Sequence, residues 1–243
     1  QLIQDIEMLD SRFGYISYYE GLSQTTNGGL DWQSIYYSPN AEMNAIDFLN
    51  VDTGWYVGGR RIRITTNRGL DWSIKDYPPF GSVPNYYSVY FRDYNTGFVA
   101  GERDNKSYII FTTNCGTNWQ QVYLSAQADK DIIGQFWIDD YTGWFYGSST
   151  LLKTTNAGAS FQDYYSKIPQ TTNGYNGLLG MSFINEMTGW ISGSNVDHKN
   201  MYKTTNGGEN WIFQDNPVTQ FQFAQLDDVL FIDENRGWAG GYS

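Results

Sequence analysis

Apolar residues recur along this chain with a period of two. Ile6 and Met8, Ile46 and Phe48, Val89 and Phe91, Met181 and Phe183, and Val229 and Phe231 each stand two apart, with Gln135 and Trp137 in the corresponding places of a sixth copy. That spacing predicts strands with one buried face. Six residues after the second member of each pair comes a glycine followed by an aromatic, at Gly14, Gly54, Gly97, Gly143, Gly189 and Gly237. Four residues before each glycine stands Asp10, Asn50, Asp93, Asp139, Asn185 or Asp233, a side chain suited to accept a backbone N–H two residues on and close a tight turn. Second strands such as GWYVGG (54–59) and GWISG (189–193) follow the turn, and Leu22, Ile62, Ile109, Leu151 and Met201 mark third strands.

After each third strand the segment Thr-Thr-Asn-x-Gly-x-x-aromatic appears, five times in all: TTNGGLDW (25–32), TTNRGLDW (65–72), TTNCGTNW (112–119), TTNAGASF (154–161) and TTNGGENW (204–211). A fourth strand is expected to begin at the closing aromatic, as in WQSIYY (32–37). Five intervals separate Gly14 from Gly237, a pitch of about 45 residues, the length of a four-stranded propeller blade. The expected fold is therefore an all-β propeller of four-stranded antiparallel blades. One domain spans 1–243, with blades at about 1–40, 41–83, 84–128, 129–173 and 174–223 and a partial sixth at 224–243. Seven blades would need about 310 residues at this pitch, so the chain is expected to belong to a larger ring, continued past Ser243 or completed by another chain.

Composition narrows the function classes. The chain has 26 acidic against 15 basic residues, a net charge of −11, which argues against nucleic acid as a partner. No apolar run approaches the roughly 18 residues of a membrane-spanning helix. The single Cys115 forbids an internal disulfide, and the single His198 leaves no His-based metal cluster or Ser-His triad, so no metal or cofactor is expected. Cys115 is expected on an exposed turn. Asn105-Lys106-Ser107 matches a glycosylation sequon, a short pattern with many false positives.

The Thr-x-Asn-x-Gly-x-x-Trp segments resemble the Asp-box of sialidase-like propellers, with Asn in the acidic position. Their pairing with an upstream Asp/Asn-x-x-Thr-Gly-Trp turn resembles the photosystem II stability and assembly factor-like propellers, a family that includes secreted Bacteroidota proteins with type IX sorting tails. The resemblance covers essentially the whole chain and is specific for fold rather than function. It implies an exported, cell-surface or periplasmic setting. Physically, Asn27, Asn67, Asn114, Asn156 and Asn206 suit a turn that bonds its own backbone, the glycine two residues on suits a positive φ, and Trp32, Trp72, Trp119, Phe161 and Trp211 suit packing between blades.

Strand order then separates two faces. The two repeated turns share one; the links between second and third strands, and those from one blade to the next, share the other and differ from blade to blade. Lengthened links are expected at 102–107 and 194–200, and variable ones at 75–88, 164–180 and 214–228. They carry Tyr77, Phe80, Tyr86, Tyr87, Tyr164, Tyr165, Tyr175, Phe221 and Phe223, candidate anchors for a protein partner, complex subunits or a glycan. In the adjacent pairs 86–87 and 164–165 one ring of each is expected to face outward.

The alternatives are enzymatic or chaperone-like. A sialidase site needs converging arginines, and the nearest text is Arg60-Arg61-Ile62-Arg63, where Arg61 and Arg63 are expected on the solvated face of a third strand. A glycoside hydrolase of sialidase or xyloglucanase type needs two carboxylates, for which Asp47, Asp139, Asp140, Asp227 and Asp228 lie on or near inner strands. An assembly factor of the photosystem type is implied to use an arginine-rich patch, and here Arg60, Arg61, Arg63, Arg92 and Arg103 are the local excess.

Overall fold

The computed structural model describes residues 2–58, 60–75, 82, 84–169, 177–194, 200–215 and 225–242. Five four-stranded antiparallel sheets and one two-stranded sheet make up the described chain, a β-propeller architecture with each sheet a blade. One turn of 3-10 helix, Tyr165–Lys167, interrupts it.

The chain divides into two compact units. The first comprises residues 1–104 and 108–124. It holds blade one (β1 Ile3–Met8, β2 Gly14–Tyr18, β3 Gly21–Thr25, β4 Gln33–Tyr37) and blade two (β5 Ala45–Phe48, β6 Gly54–Gly58, β7 Arg61–Thr65, β8 Ser73–Lys75). Most of blade three (β9 Asn85–Phe91, β10 Gly97–Arg103, β11 Lys106–Thr112, β12 Gln120–Leu124) belongs to it as well. The second unit, residues 105–107 and 125–243, holds blade four (β13 Gly134–Trp137, β14 Gly143–Gly147, β15 Thr150–Thr154, β16 Gln162–Asp163) and blade five (β17 Gly177–Phe183, β18 Gly189–Ser194, β19 Met201–Thr204, β20 Ile212–Phe213). The pair β21 (Gln225–Phe231) and β22 (Gly237–Tyr242) completes it.

The recurring glycine has a steric cause. It pairs across the ladder with the side chain six residues before it: Met8 with Gly14, Phe48 with Gly54, Phe91 with Gly97, Trp137 with Gly143, Phe183 with Gly189, Phe231 with Gly237. The ring lies over the glycine. A Cβ there would stand 2.6 Å from Cγ of Phe48, Phe91 or Phe231, 2.5 Å from Phe183 Cγ and 2.7 Å from Trp137 Cδ2. None of the six has a left-handed φ, so space and not backbone angle demands glycine.

The aromatic after the glycine reaches the following blade. In the first unit Tyr15 stacks on Phe48 and Trp55 on Phe91, each with centroids 3.8 Å apart, while Trp72 stands edge-on to Phe48 and Trp119 to Phe91. In the second, Trp144 stacks on Phe183 at 5.4 Å and Trp190 on Phe231 at 3.8 Å, with Trp211 edge-on to Phe183. Each such junction is thus a second-strand ring, the next blade's first-strand ring and, where it is present, the aromatic closing that blade's Thr-Thr-Asn turn. Tyr15 and Phe48, Trp55 and Phe91, and Trp144 and Phe183 each lie together in one of the buried clusters.

Two expectations are corrected here. The link at 102–107 is no long loop: β10 and β11 extend to Arg103 and Lys106, joined through Asp104 and Asn105 at φ 55° and 59°. Cys115 is buried, not exposed: its side chain belongs to the cluster that holds Trp55, Phe91 and Trp119.

Candidate functional site

Two kinds of turn occupy one end of each complete blade, and their polar groups are committed to each other. The Asp or Asn before each glycine accepts, through Oδ1, the N–H groups two and three residues on: Asp10 from Arg12 and Phe13, Asn50 from Asp52 and Thr53, Asp93 from Asn95 and Thr96. Asp139, Asn185 and Asp233 repeat the pattern. The N–H of Phe13 and then of Arg12 hold the Asp10 carboxyl below the usual carboxylate range.

In the Thr-Thr-Asn turns the first threonine is buried. Its hydroxyl donates to the asparagine Oδ1 at 3.0–3.1 Å and accepts the glycine N–H at 2.9–3.0 Å. The asparagine Oδ1 accepts the N–H four residues on at 2.8–3.0 Å. Gly29, Gly69, Gly116, Gly158 and Gly208 take left-handed φ values, as the motif requires. The choice of Asn over Asp has a local reason: Asn27 and Asn67 donate Nδ2 to Asp31 and Asp71 at 2.9 Å, where a second carboxylate would repel. The N–H groups of Gly28, Arg68, Cys115, Ala157 and Gly207 bond the carbonyls of Arg12, Asp52, Asn95, Tyr141 and Met187, tying the two turns together at 2.9–3.0 Å.

On the first strands of unit one a row of carboxylates reaches the neighbouring blade. Asp5 Oδ2 accepts Ile46 N–H at 3.0 Å, Glu7 Oε2 accepts Phe48 N–H at 2.7 Å, and Asp47 Oδ2 accepts Phe91 N–H at 2.6 Å. In unit two Ser182 Oγ plays this part for Phe231 N–H at 2.9 Å. Burial, reinforced by the Asp47 and Asp5 charges and offset by the Phe48 N–H, pushes the Glu7 carboxyl up to about 9. Burial pushes Asp47 up to about 7, the Phe91 N–H opposing it and Asp5 adding to it. Of these three the sequence pointed to Asp47 alone. Glu7 and Asp47 both stand seven residues before their glycines, a recurrence that would have found Glu7. Asp139 is a turn acceptor, Asp140 is exposed beside it, Asp227 accepts Gln225 Nε2, and burial pushes Asp228 up while it accepts Val229 N–H.

The other end of each blade differs from one to the next. In blade one Ile3, Tyr18, Gly21 and Tyr37 pair across the sheet there. An open groove of about 270 Å³ lies beside them, lined by Leu2, Gln4, Tyr19 and Glu20. Tyr19 and Tyr37 are exposed, and Tyr37 OH lies 3.5 Å from Glu20 Oε2. Neither tyrosine was singled out from sequence, because each sits at a strand end rather than in a long link. In blade three Tyr87 is half-buried on β9, its hydroxyl 3.3 Å from Glu102 Oε1, which also accepts Asn85 Nδ2 at 2.9 Å. Arg63 lies over the Tyr56 ring and donates to Ala41 O, while Arg61 is exposed and Ile62 and Ile64 are buried, the alternation expected of that strand.

Two of the expected contact tyrosines are corrected. Tyr86 is fully buried, packed in the core cluster with Trp55 and Val57, because β9 begins at Asn85 and turns this ring inward. Tyr164 is also buried: its ring stands edge-on to Trp144 at 5.1 Å and its hydroxyl donates to Glu209 at 2.9 Å, sealing the passage from blade four to blade five. Their neighbours Tyr87 and Tyr165 are the more open members of each pair. Tyr77, Phe80, Tyr175, Phe221 and Phe223, like His198, lie outside the described residues.

No family model matches the chain, and no curated protein matches it in sequence. Solved structures do. YCF48 bound to D1 peptide is 16% identical with a TM-score of 0.53 over 98% of this chain and 88% of that one. YCF48 from Cyanidioschyzon merolae is 18% identical with a TM-score of 0.63 over 94% of this chain and 76% of that one. An ancestral GH74 enzyme is 17% identical at a TM-score of 0.70, and the chain spans 32% of its length. The GH74 enzyme of Niastella koreensis is 12% identical at 0.68, with 42% of its length spanned. At these identities the likeness establishes the β-propeller fold.

Chemically the arrangement offers three things. The paired-turn end is saturated by its own hydrogen bonds. The inner row holds protonatable carboxylates, each already bonded to a main-chain amide. The variable end presents tyrosine rings beside acidic groups. Among the described residues no three His, Cys, Asp or Glu side chains gather as a metal site would need, and no helix is long and apolar enough to cross a membrane.

Proposed function

We propose that this chain is a non-enzymatic binding module that holds an extended segment of a protein partner against the variable ends of its blades. The observation that carries the reading is the asymmetry between the two ends. At the paired-turn end threonine, asparagine and aspartate side chains are consumed by the backbone in blade after blade. At the other end exposed Tyr19 and Tyr37, half-buried Tyr87 and Tyr165, and an open groove give each blade a different surface. The likeness to YCF48 bound to D1 peptide supports a peptide rather than a glycan as the ligand class. An exported or cell-surface setting belongs to the same proposal.

The test is selection from a random-peptide display library, followed by Tyr19→Ala, Tyr37→Ala and Tyr87→Ala. Loss of about 2 kcal/mol or more from at least one substitution supports the reading, as expected for a central aromatic anchor. Binding indifferent to all three but lost with Thr66→Ala or Asn156→Ala overturns it.

A second reading, glycoside hydrolysis, is favoured by one observation: Glu7 accepts the N–H of Phe48, the residue next to Asp47, and the Asp47 charge adds to burial in pushing Glu7 up to about 9, while burial pushes Asp47 to about 7. Turnover of xyloglucan or an aryl glycoside, abolished by Glu7→Gln or Asp47→Asn, would establish it.

A further inference from the structure

Two of the five Thr-Thr-Asn turns place glycine directly after the asparagine, at Asn27-Gly28 and Asn206-Gly207; the other three carry Arg68, Cys115 and Ala157 there. All five positions take a left-handed φ, 73° and 68° at the glycines and 65°, 56° and 55° at the rest. Glycine removes the strain of that conformation. It also removes the Cβ that keeps a main-chain nitrogen away from the preceding side chain, and Asn-Gly is the pair in which that nitrogen most readily attacks the amide carbon Cγ.

In the closed turns the attack is misaligned. Gly28 N–H donates to Arg12 O and Gly207 N–H to Met187 O, each at 2.9 Å, so the electron pair left by loss of that proton would point at a carbonyl oxygen and not at Cγ. The amide is fixed as well. Asn27 Oδ1 accepts from Thr25 Oγ1 and Asp31 N–H, both at 3.0 Å, and its Nδ2 donates to Asp31 Oδ2 at 2.9 Å. Asn206 Oδ1 accepts from Thr204 Oγ1 and Asn210 N–H, both at 3.0 Å. Bringing Cγ and the glycine nitrogen together breaks four hydrogen bonds at Asn27 and three at Asn206.

We propose that Asn27 and Asn206 are latent self-modification sites, silent while the paired turns are closed and converted once they open. The glycine nitrogen then bonds Cγ, and the Cγ–Nδ2 bond breaks. The proton lost from the glycine leaves with Nδ2 as ammonia, and water opens the cyclic imide at either carbonyl to give aspartate or isoaspartate. At position 27 aspartate sets a carboxylate against Asp31, where the amide had donated. Isoaspartate at either position lengthens the main chain by a methylene, so the Thr25 or Thr204 hydroxyl no longer spans from Oδ1 to the N–H of Gly29 or Gly208. Opening of a turn is thereby recorded in the chain and hinders its reclosing.

The experiment follows both sites by peptide-mapping mass spectrometry of the intact chain held at mildly alkaline pH, folded and in urea. Each site should convert about a hundredfold more slowly folded than in urea, the combined weight of three such hydrogen bonds. Asp10→Ala loosens the turn that carries the Arg12 carbonyl, and Asn185→Ala the turn that carries Met187. In variants shown by circular dichroism to be folded, Asp10→Ala should speed Asn27 about tenfold and leave Asn206 as it was, and Asn185→Ala should do the reverse. Gly207→Ala should slow conversion of Asn206 sharply even in urea; Ala157 shows that such a turn accepts alanine, and a Cβ at 207 would stand 3.1 Å from Glu186 O. Folded rates equal to those in urea, folded variants in which both sites or neither quicken, or undiminished conversion of the Gly207→Ala chain in urea overturn the proposal.

Discussion

Gly97→Ala isolates the steric rule behind the recurring glycine. The new Cβ would stand 2.5 Å from Phe91 Cδ1, about 1 Å inside an ordinary carbon contact. Phe91 cannot retreat: its other face stacks on Trp55 at 3.8 Å, its edge meets Trp119, and its N–H is held by Asp47. Forcing a methyl into so tight a place costs about 1–3 kcal/mol, and tilting the ring off Trp55 adds about 0.5–1.5 kcal/mol. For a chain of this size a loss of about 2–4 kcal/mol lowers the midpoint by roughly 4–16 °C. Gly240→Ala is the control, since nothing lies within 4 Å of a Cβ there. Thermal and urea unfolding measure both. A double-mutant cycle sharpens the test: with Phe91→Ala present, the clash is gone and Gly97→Ala should be neutral or gain about 0.5 kcal/mol from lower chain entropy. Equal costs in the two backgrounds, or a Gly97→Ala cost no larger than that of Gly240→Ala, would refute the steric account.

Three further outcomes follow from the same geometry. Asn67→Asp should destabilise because it sets a carboxylate against Asp71, whereas Asn114→Asp, opposite Asn118, should be nearly neutral, and added salt should shrink the difference in urea midpoints. Trp72→Ala should cost about 3–5 kcal/mol by emptying the space between Tyr56 and Phe48, read as a fall in the urea midpoint. Because Glu7 and Asp47 hold protons more tightly folded than unfolded, they favour the fold at low pH, and that contribution should fade as pH rises from about 4 through 7 to 9; Glu7→Gln should flatten the midpoint-versus-pH curve, and an unchanged slope would contradict the burial of this carboxyl.

The parts of this molecule legible in its sequence are those set by short-range geometry. Asp93 reaches N–H groups two and three residues away and Phe91 covers a glycine six residues away, so both left marks at fixed spacing. Contacts between blades left weaker ones. Asp5 and Glu7 look like the wet side of an alternating strand, and only the amides they meet 41 residues away reveal their role. Tyr86 and Tyr164 looked like loop residues because long variable links precede and follow them; β9 and the Glu209 contact draw them inward instead. The polarity of the two blade ends was readable, since one repeats and the other varies, but which rings stay open depended on where each strand begins.

Hydrogen–deuterium exchange with a library-selected peptide, bound and unbound, tests the central proposal most directly. Binding at the variable ends predicts added protection at 18–21, 37–44, 85–88 or 101–107, with the five Thr-Thr-Asn turns unchanged. Protection confined to 25–32, 65–72, 112–119, 154–161 or 204–211 would contradict it.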